Sequence, residues 1–162
     1  MHLRPASPSD VPEILEVVQA AYRGHGGWTT EADLLDGQRT DQAGVEDYLP
    51  YLTVAVDETV LGCCALVPEG DHATFGMFAV RPGLQGSGVG SQLLLAAEDR
   101  ARADGYPFIE MHVLSSRSEL LAYYLRRGYV DTGATLPFPY GDERFGLPRA
   151  DGLEFTVLTK LL

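Results

Sequence analysis

Gln85-Gly86-Ser87-Gly88-Val89-Gly90 sets three glycines in six residues between a run of strand character and a run of helical character. No other stretch of the chain constrains its fold as tightly. Residues 73–80 before it form an apolar run of strand length, and the segment from Val89 to Ala103 carries Val89, Leu93, Leu94, Ala97 and Ala101 on one helical face. Glycines at such a junction let backbone N–H groups approach a ligand at the positive end of a helix, so an anion, a phosphate above all, is expected there. A merely tight turn would use the same residues. Two nucleotide patterns fail: a P-loop needs Lys after its last glycine, where Ser91 stands, and the dinucleotide fingerprint needs glycine at position 91 and not at 90.

Residues 51–56, 60–67 and 73–80 alternate with Asp57-Glu58-Thr59 and Pro68-Glu69-Gly70-Asp71-His72, which predicts three antiparallel strands joined by short turns. Gly76, inside the third, predicts a bulge or a close backbone approach. Ahead of them Asp10-Val11-Pro12-Glu13 has the form of a capped helix start, and Ile14, Leu15, Val18, Ala21 and Tyr22 follow at helical spacing. A short helix is expected around residues 31–35. Beyond the glycine turn, Asp104-Gly105 ends the helix and residues 108–114 read as a strand. Ser116-Arg117-Ser118-Glu119 offers a capping box for a helix through Arg127, stopped by Gly128, and residues 153–162 read as a closing strand. Without an internal repeat or linker, residues 1–162 read as one α+β domain.

Twelve Lys and Arg against twenty-three Asp and Glu leave a net charge of −11, which argues against nucleic acid as a partner. No segment approaches the ~18 apolar residues of a membrane span, and the opening residues lack the apolar core of a signal peptide, so no membrane is expected and a cytoplasmic setting is. Cys63 and Cys64 are sequence neighbours whose side chains point to opposite faces of a strand, and they read as small core residues. Four scattered His and no second cysteine pair give no zinc spacing, and no metal is expected.

Gln85-x-x-Gly88-x-Gly90 resembles the R/Q-x-x-G-x-G/A pyrophosphate loop of the GNAT superfamily of acyl-CoA-dependent N-acetyltransferases. The likeness extends to Met77-Phe78-Ala79-Val80-Arg81-Pro82, similar to that family's fourth strand and exit, and to Tyr123-Tyr124-Leu125-Arg126-Arg127-Gly128-Tyr129, similar to its aromatic-Tyr-x-x-x-Gly-aromatic segment. The order of elements agrees from about Leu3 to the end. The resemblance implies an α+β fold with a mixed, mostly antiparallel central sheet, helices on both faces and the fourth and fifth strands splayed apart. It implies acetyl-CoA as cosubstrate. Carried over position by position, the backbone of Gly86, Ser87, Gly88, Val89, Gly90 and Ser91 would hold the CoA pyrophosphate, with Gln85 at the first position of the motif. The backbone of Phe78, Ala79 and Val80 would pair with the pantetheine arm as if it were an added strand.

Acetyl transfer to an amine meets two obstacles. Deprotonating an alkylammonium at neutral pH costs roughly 4–5 kcal/mol, and a thiolate must leave. The resemblance gives Tyr124 the position of the acid that protonates the thiolate; its helical spacing with Leu120 and Leu121 also suits a core aromatic. Glu110 and His112 alternate to one face of their strand. His112 falls where some members carry a glutamate base, and an imidazole suits proton removal near neutral pH; Glu110 is the second candidate. A structural His and a surface carboxylate are the alternatives. Thr74 stands where some relatives have Glu, and Arg117 where many have an Asn that helps hold the pantetheine.

Recognition of the acceptor falls to the least patterned parts, with Trp28, Phe138 and Tyr140 as a wall and Glu31 or Asp142 as an ammonium anchor; ordinary covering loops are the alternative. The expected activity is direct transfer of acetyl from acetyl-CoA to a primary amine of a small molecule or peptide. A CoA-binding sensor that transfers nothing, an acetyltransferase acting on a protein, and a homodimer all stay open.

Overall fold

The computed structural model describes residues 1–23, 35–36, 40–138, 147–148 and 152–162. The chain opens on β1 (His2–Pro5), and a 3-10 turn over Pro8–Asp10 leads into α1 (Val11–Arg23). Ser7, and not Asp10, stands at the start of that turn. The Asp10 carboxylate faces backward, accepting the Ser7 N–H at 2.8 Å and two bonds from the Arg4 guanidinium at 2.7 and 2.9 Å. Arg4 above all holds its carboxyl down at about 2. Glu13 accepts the N–H of Val60 at 2.8 Å, tying α1 to the sheet.

β2 (Leu35–Asp36) pairs antiparallel with β8 (Leu147–Pro148) in a small separate sheet. Of the helix expected around residues 31–35, Leu35 lies in β2 and the rest lies outside the described residues. The short α2 (Gln42–Tyr48) follows, capped by Asp41, whose side chain accepts from the N–H of Gly44 at 2.8 Å. Then come β3 (Leu52–Asp57), β4 (Thr59–Glu69), β5 (His72–Val80), α3 (Val89–Ala103), β6 (Phe108–Leu114), α4 (Ser118–Leu125), β7 (Val130–Pro137) and β9 (Glu154–Leu161).

Among the described residues the main sheet runs β1-β3-β4-β5-β6-β9-β7, with β5 and β6 its one parallel pair. α4 ends at Leu125, short of the expected Arg127, and its start and the far edge of the sheet hold features the sequence reading did not give. Arg117 is the residue before α4 and caps it with no side-chain bond, so the box from Ser116 to Glu119 does not form. β7 is an additional strand at the sheet's edge. The last strand, β9, is therefore internal, held between β6 and β7.

Helices cover both faces of this α+β sheet. Val11, Ile14, Val17, Val18 and Ala21 of α1, with Val45 of α2, pack on Val54, Cys63, Ala65, Met77 and Ala79. On the other face Leu93, Leu94, Ala97 and Ala101 of α3 and Tyr124 of α4 pack on Cys64, Phe75, Ile109, Met111 and Val113. Cys63 and Cys64 enter opposite cores, as neighbours on a strand must.

β5 carries the irregularity that opens the sheet. Cys63 pairs with Ala79 and Ala65 with Gly76, so Cys64 alone faces both Met77 and Phe78. The bulge thus sits one residue beyond Gly76, and Met77 takes a φ of 42°. An inserted residue reverses which face each side chain takes. Ala73 and Phe75 lie in the α3 core, whereas Met77 and Ala79 lie in the α1 core. Pairing between β5 and β6 ends at Phe75 with Met111. From Gly76 onward the two strands part, and among the described residues no strand lies beside the β6-facing edge of β5.

Candidate active site

A cleft of about 290 Å³ occupies the gap where β5 and β6 separate. Ala21 and Tyr22 of α1 reach it from one face of the sheet, and Leu120, Tyr123 and Tyr124 of α4 from the other. Only an opened sheet lets those helices line one space. Phe78, Ala79 and Val80 of β5 form its wall, and Gln85, Gly86, Gly88, Gly90 and Ser91 form its far end.

The far end is built for negative charge. Gly88 stands before α3 with φ 96°, a left-handed conformation that a side chain disfavours, and offers no side-chain cap. The first N–H groups of α3, from Val89, Gly90 and Ser91, have no intrahelical acceptor by the geometry of a helix start. Gly90 answers a different need. A Cβ there would lie 3.1 Å from Phe78 Cζ and 3.3 Å from Val80 Cγ2, so its absence lets α3 seat directly on β5. Gln85 donates from Nε2 to the Val80 carbonyl at 3.3 Å, fixing the turn to the strand's end.

Two of the expected phosphate residues stand apart from the cleft wall. Ser87 donates its N–H to the Leu84 carbonyl at 3.1 Å, and its hydroxyl bonds the same oxygen, so that amide is already used inside the turn. The Val89 side chain is buried in the α3 core, which leaves only its backbone facing the helix start.

α4 supplies a stripe at helical spacing: Arg117, Leu120, Tyr124 and, just past its end, Arg127. Arg127 lies 3.5 Å over the Tyr123 ring and donates to Ser91 Oγ at 3.3 Å, which puts its guanidinium beside the α3 start. Arg117 lies 5.6 Å over the ring of Tyr22. Arg127 escaped the sequence reading. Its signal was the position three residues beyond Tyr124 on the same helical face.

Tyr124 belongs to the core and to the cleft together. It is 4% exposed and packs against Phe78, Tyr123 and Tyr129 at centroid distances of 6.5, 5.3 and 5.8 Å. Burial first, with Tyr22 adding to it, pushes its hydroxyl well above the usual 10, while Arg117 pulls the other way. The phenol therefore keeps its proton through the neutral range. A thiolate formed in the same dry place would suffer the same desolvation, which matches the two as proton donor and acceptor. Behind it, Tyr129 donates to buried Glu98 at 3.0 Å, and Lys160 reaches both Glu98 oxygens at 3.2 and 3.1 Å.

Glu110 and His112 do not line this cleft. They lie on the opposite face of β6 from Met111, with His112 Nε2 2.9 Å from Glu110 Oε2. Phe138 is buried with Leu114 and Leu153 and tilts against Phe155, a core position away from the cleft wall. Trp28, Glu31, Tyr140 and Asp142 lie outside the described residues. Among the described residues, no group of three or more His, Cys, Asp or Glu is placed to hold a metal ion. None of the described helices is long and apolar enough to cross a membrane.

This architecture, a sheet split beside a bulge with an anion-receptive helix start at the split, has recognisable relatives. The acetyltransferase (GNAT) family matches residues 11–129. The chain belongs to that family, a class of acyltransferases whose cosubstrate is acetyl-CoA. It is 30% identical over 131 residues to an amino-acid acetyltransferase of Ralstonia nicotianae, covering 80% of this chain and 26% of that protein, so it spans about a quarter of that relative's length. Among solved structures it resembles a ribosomal-protein-alanine N-acetyltransferase from Brucella melitensis, with a TM-score of 0.74 at 18% identity over 100% of both chains. It also resembles yncA, a putative acetyltransferase from Salmonella typhimurium with its cofactor acetyl-CoA, with a TM-score of 0.73 at 19% identity over 100% of this chain and 94% of that one. At these identities the structural likenesses establish the fold.

Proposed function

We propose that residues 1–162 act as one cytoplasmic catalytic domain that moves an acetyl group from acetyl-CoA directly to a primary amine of a small molecule or peptide. One observation carries this reading. In a chain of net charge −11, the described residues lining the cleft include Arg117 and Arg127 and no Asp or Glu. A pocket that gathers cations and backbone donors against the protein's overall charge suits a polyanionic ligand. The unpaired edge of β5 beyond Phe75 suits an amide-bearing arm laid along it as an added strand. An amine on an amino acid or peptide is supported by the names of the relatives, one an amino-acid and one a ribosomal-protein-alanine acetyltransferase.

In this reading the amides of Val89, Gly90 and Ser91, with Arg127, bind the diphosphate, and the backbone of Phe78, Ala79 and Val80 orients the arm toward Tyr124. Tyr124 gives its hydroxyl proton to the sulfur as the carbon–sulfur bond breaks. The amine's proton passes to His112, Glu110 or water. Holding both reactants together supplies up to ~7–11 kcal/mol of the barrier reduction, more than either proton transfer. Incubation with acetyl-CoA and a panel of amino acids, polyamines, aminoglycosides and short peptides, read by thiol release, tests the reading. Release with at least one amine is expected. Tight acetyl-CoA binding with no release for any amine would identify a sensor instead.

A further inference from the structure

Outside the cleft, one chain of titratable side chains runs across the fork between β5 and β6. Asp71 Oδ1 lies 2.8 Å from His72 Nδ1. The other nitrogen of that ring, Nε2, lies 3.6 Å from Glu110 Oε2, the same oxygen that His112 Nε2 meets at 2.9 Å. The His72 ring is stacked on Phe108, with centroids 4.8 Å apart and planes 12° from parallel, which fixes its orientation. Carboxylates and imidazoles thus alternate along the row, and among the described residues the side-chain partners of His72, Glu110 and His112 belong to it or to that stack.

We propose that Glu110 and His72 are positioning residues that hold His112 as the base of the acyl transfer; the proposal rests on the acetyltransferase reading above and identifies how its proton leaves. An ionised carboxylate can only accept, so the 2.9 Å contact requires His112 to carry its proton on Nε2. Nδ1 is then the nitrogen with the free lone pair. Its location fits the task. Thr74 pairs with Glu110 and Phe75 with Met111, so Gly76 and His112 are the first residues past the last pair, side by side where the strands part. Among the described residues, a Cβ on Gly76 would meet nothing within 4 Å, so the backbone next to His112 is uncovered by them. From β9, Val157 stands opposite His112 and Thr159 opposite Glu110, and neither competes for the carboxylate.

The base moves the first of two protons: His112 Nδ1 takes it from the acceptor's ammonium and the freed lone pair attacks the thioester carbonyl. The carbon–sulfur bond then breaks, the sulfur leaves with the Tyr124 proton, the second proton of the acylated nitrogen restores Tyr124, and the imidazolium, stabilised by Glu110, releases its proton to water. With a proton on each ring nitrogen, His72 faces Asp71 and Glu110 together and keeps the Glu110 carboxylate turned toward His112. The arrangement assigns the two candidate bases different duties: His112 exchanges the proton and Glu110 orients it.

Long-range proton–nitrogen correlation spectra of the full chain with ¹⁵N-labelled histidines, recorded without ligand at slightly alkaline pH, read the tautomer of each ring. The expected spectrum shows His112 protonated on Nε2, with a mixture of tautomers in Glu110→Ala and recovery in Glu110→Gln, whose amide oxygen still accepts. Steady-state kinetics with any amine that turns over should show kcat falling about tenfold in Glu110→Ala, the scale of one charge-assisted hydrogen bond. KM for acetyl-CoA should stay unchanged. His72→Phe, which keeps the stack on Phe108, should give a smaller fall of the same kind. A wild-type His112 protonated on Nδ1 overturns the proposal, as does full kcat in Glu110→Ala. Absence of turnover in the wild-type chain with every amine would overturn the acetyltransferase reading, while the tautomer spectra would still decide whether Glu110 orients His112.

Discussion

Tyr124 shows how one side chain serves packing and chemistry at once. Its ring is held by three aromatic neighbours, and its buried hydroxyl stays protonated well past neutrality. Replacement by Phe keeps the ring contacts and removes the proton. Tyr124→Phe is expected to lower kcat by roughly 10²–10⁴-fold with acetyl-CoA affinity preserved, measured by thiol release and by calorimetry; undiminished turnover at saturating substrates would remove Tyr124 as the acid. Asp10 makes a different prediction. Its carboxyl is lowered to about 2 in the folded chain against ~3.9 when unfolded, so its contribution is complete above the unfolded value and lost as pH falls through the folded one. Urea unfolding should show Asp10→Asn less stable by about 1–2 kcal/mol at pH 7, with the difference closing between pH 4 and 2.

At the scale of elements, the strand-turn-helix unit from β5 through α3 was legible because each part has a period: apolar runs for the strands, one apolar face for the helix, glycines between. α2 and β7 were not, and the reason is burial. α2 buries only Val45, and β7 is exposed along its whole length, so neither imposes an apolar repeat on its sequence. Gly76 pointed to the bulge, but Met77, held in the core by its side chain, carries the positive φ. Phe138 fell in an unpatterned loop and was read as a substrate wall; its burial depends on contacts with Leu114 and Leu153, distant in sequence and invisible to local pattern. Gly90 allows a test of the unit's geometry. In Gly90→Ala the new Cβ must displace Phe78 or Val80, and acetyl-CoA binding should weaken about tenfold by calorimetry, while the far-ultraviolet spectrum stays that of the parent. Unchanged affinity would show that seating α3 tightly on β5 is unimportant to the ligand.

Across the whole molecule, the split in the sheet removes pairing between β5 and β6 where the cleft needs space, so other contacts must hold the two halves in place. The buried carboxylate of Glu98 on α3 is one: it joins Lys160 of β9 and Tyr129 at the end of the α4 turn. Removing only the cation leaves a carboxylate 2% exposed with no counter-charge. Lys160→Met should therefore cost about 3–5 kcal/mol in urea unfolding, and adding Glu98→Gln should restore most of it. Equal losses in the single and double variants would mean that the pair's charge is not what matters.

The most direct test of how the split sheet and the α3 start work together is residue by residue. Proton–nitrogen spectra of the full chain titrated with acetyl-CoA should show their largest amide shifts at residues 88–91 and along residues 78–80, saturating with a single affinity. If those amides stay still while acetyl-CoA binds, or if the shifts gather elsewhere on the sheet, the cleft between β5 and β6 is not where the thioester is held.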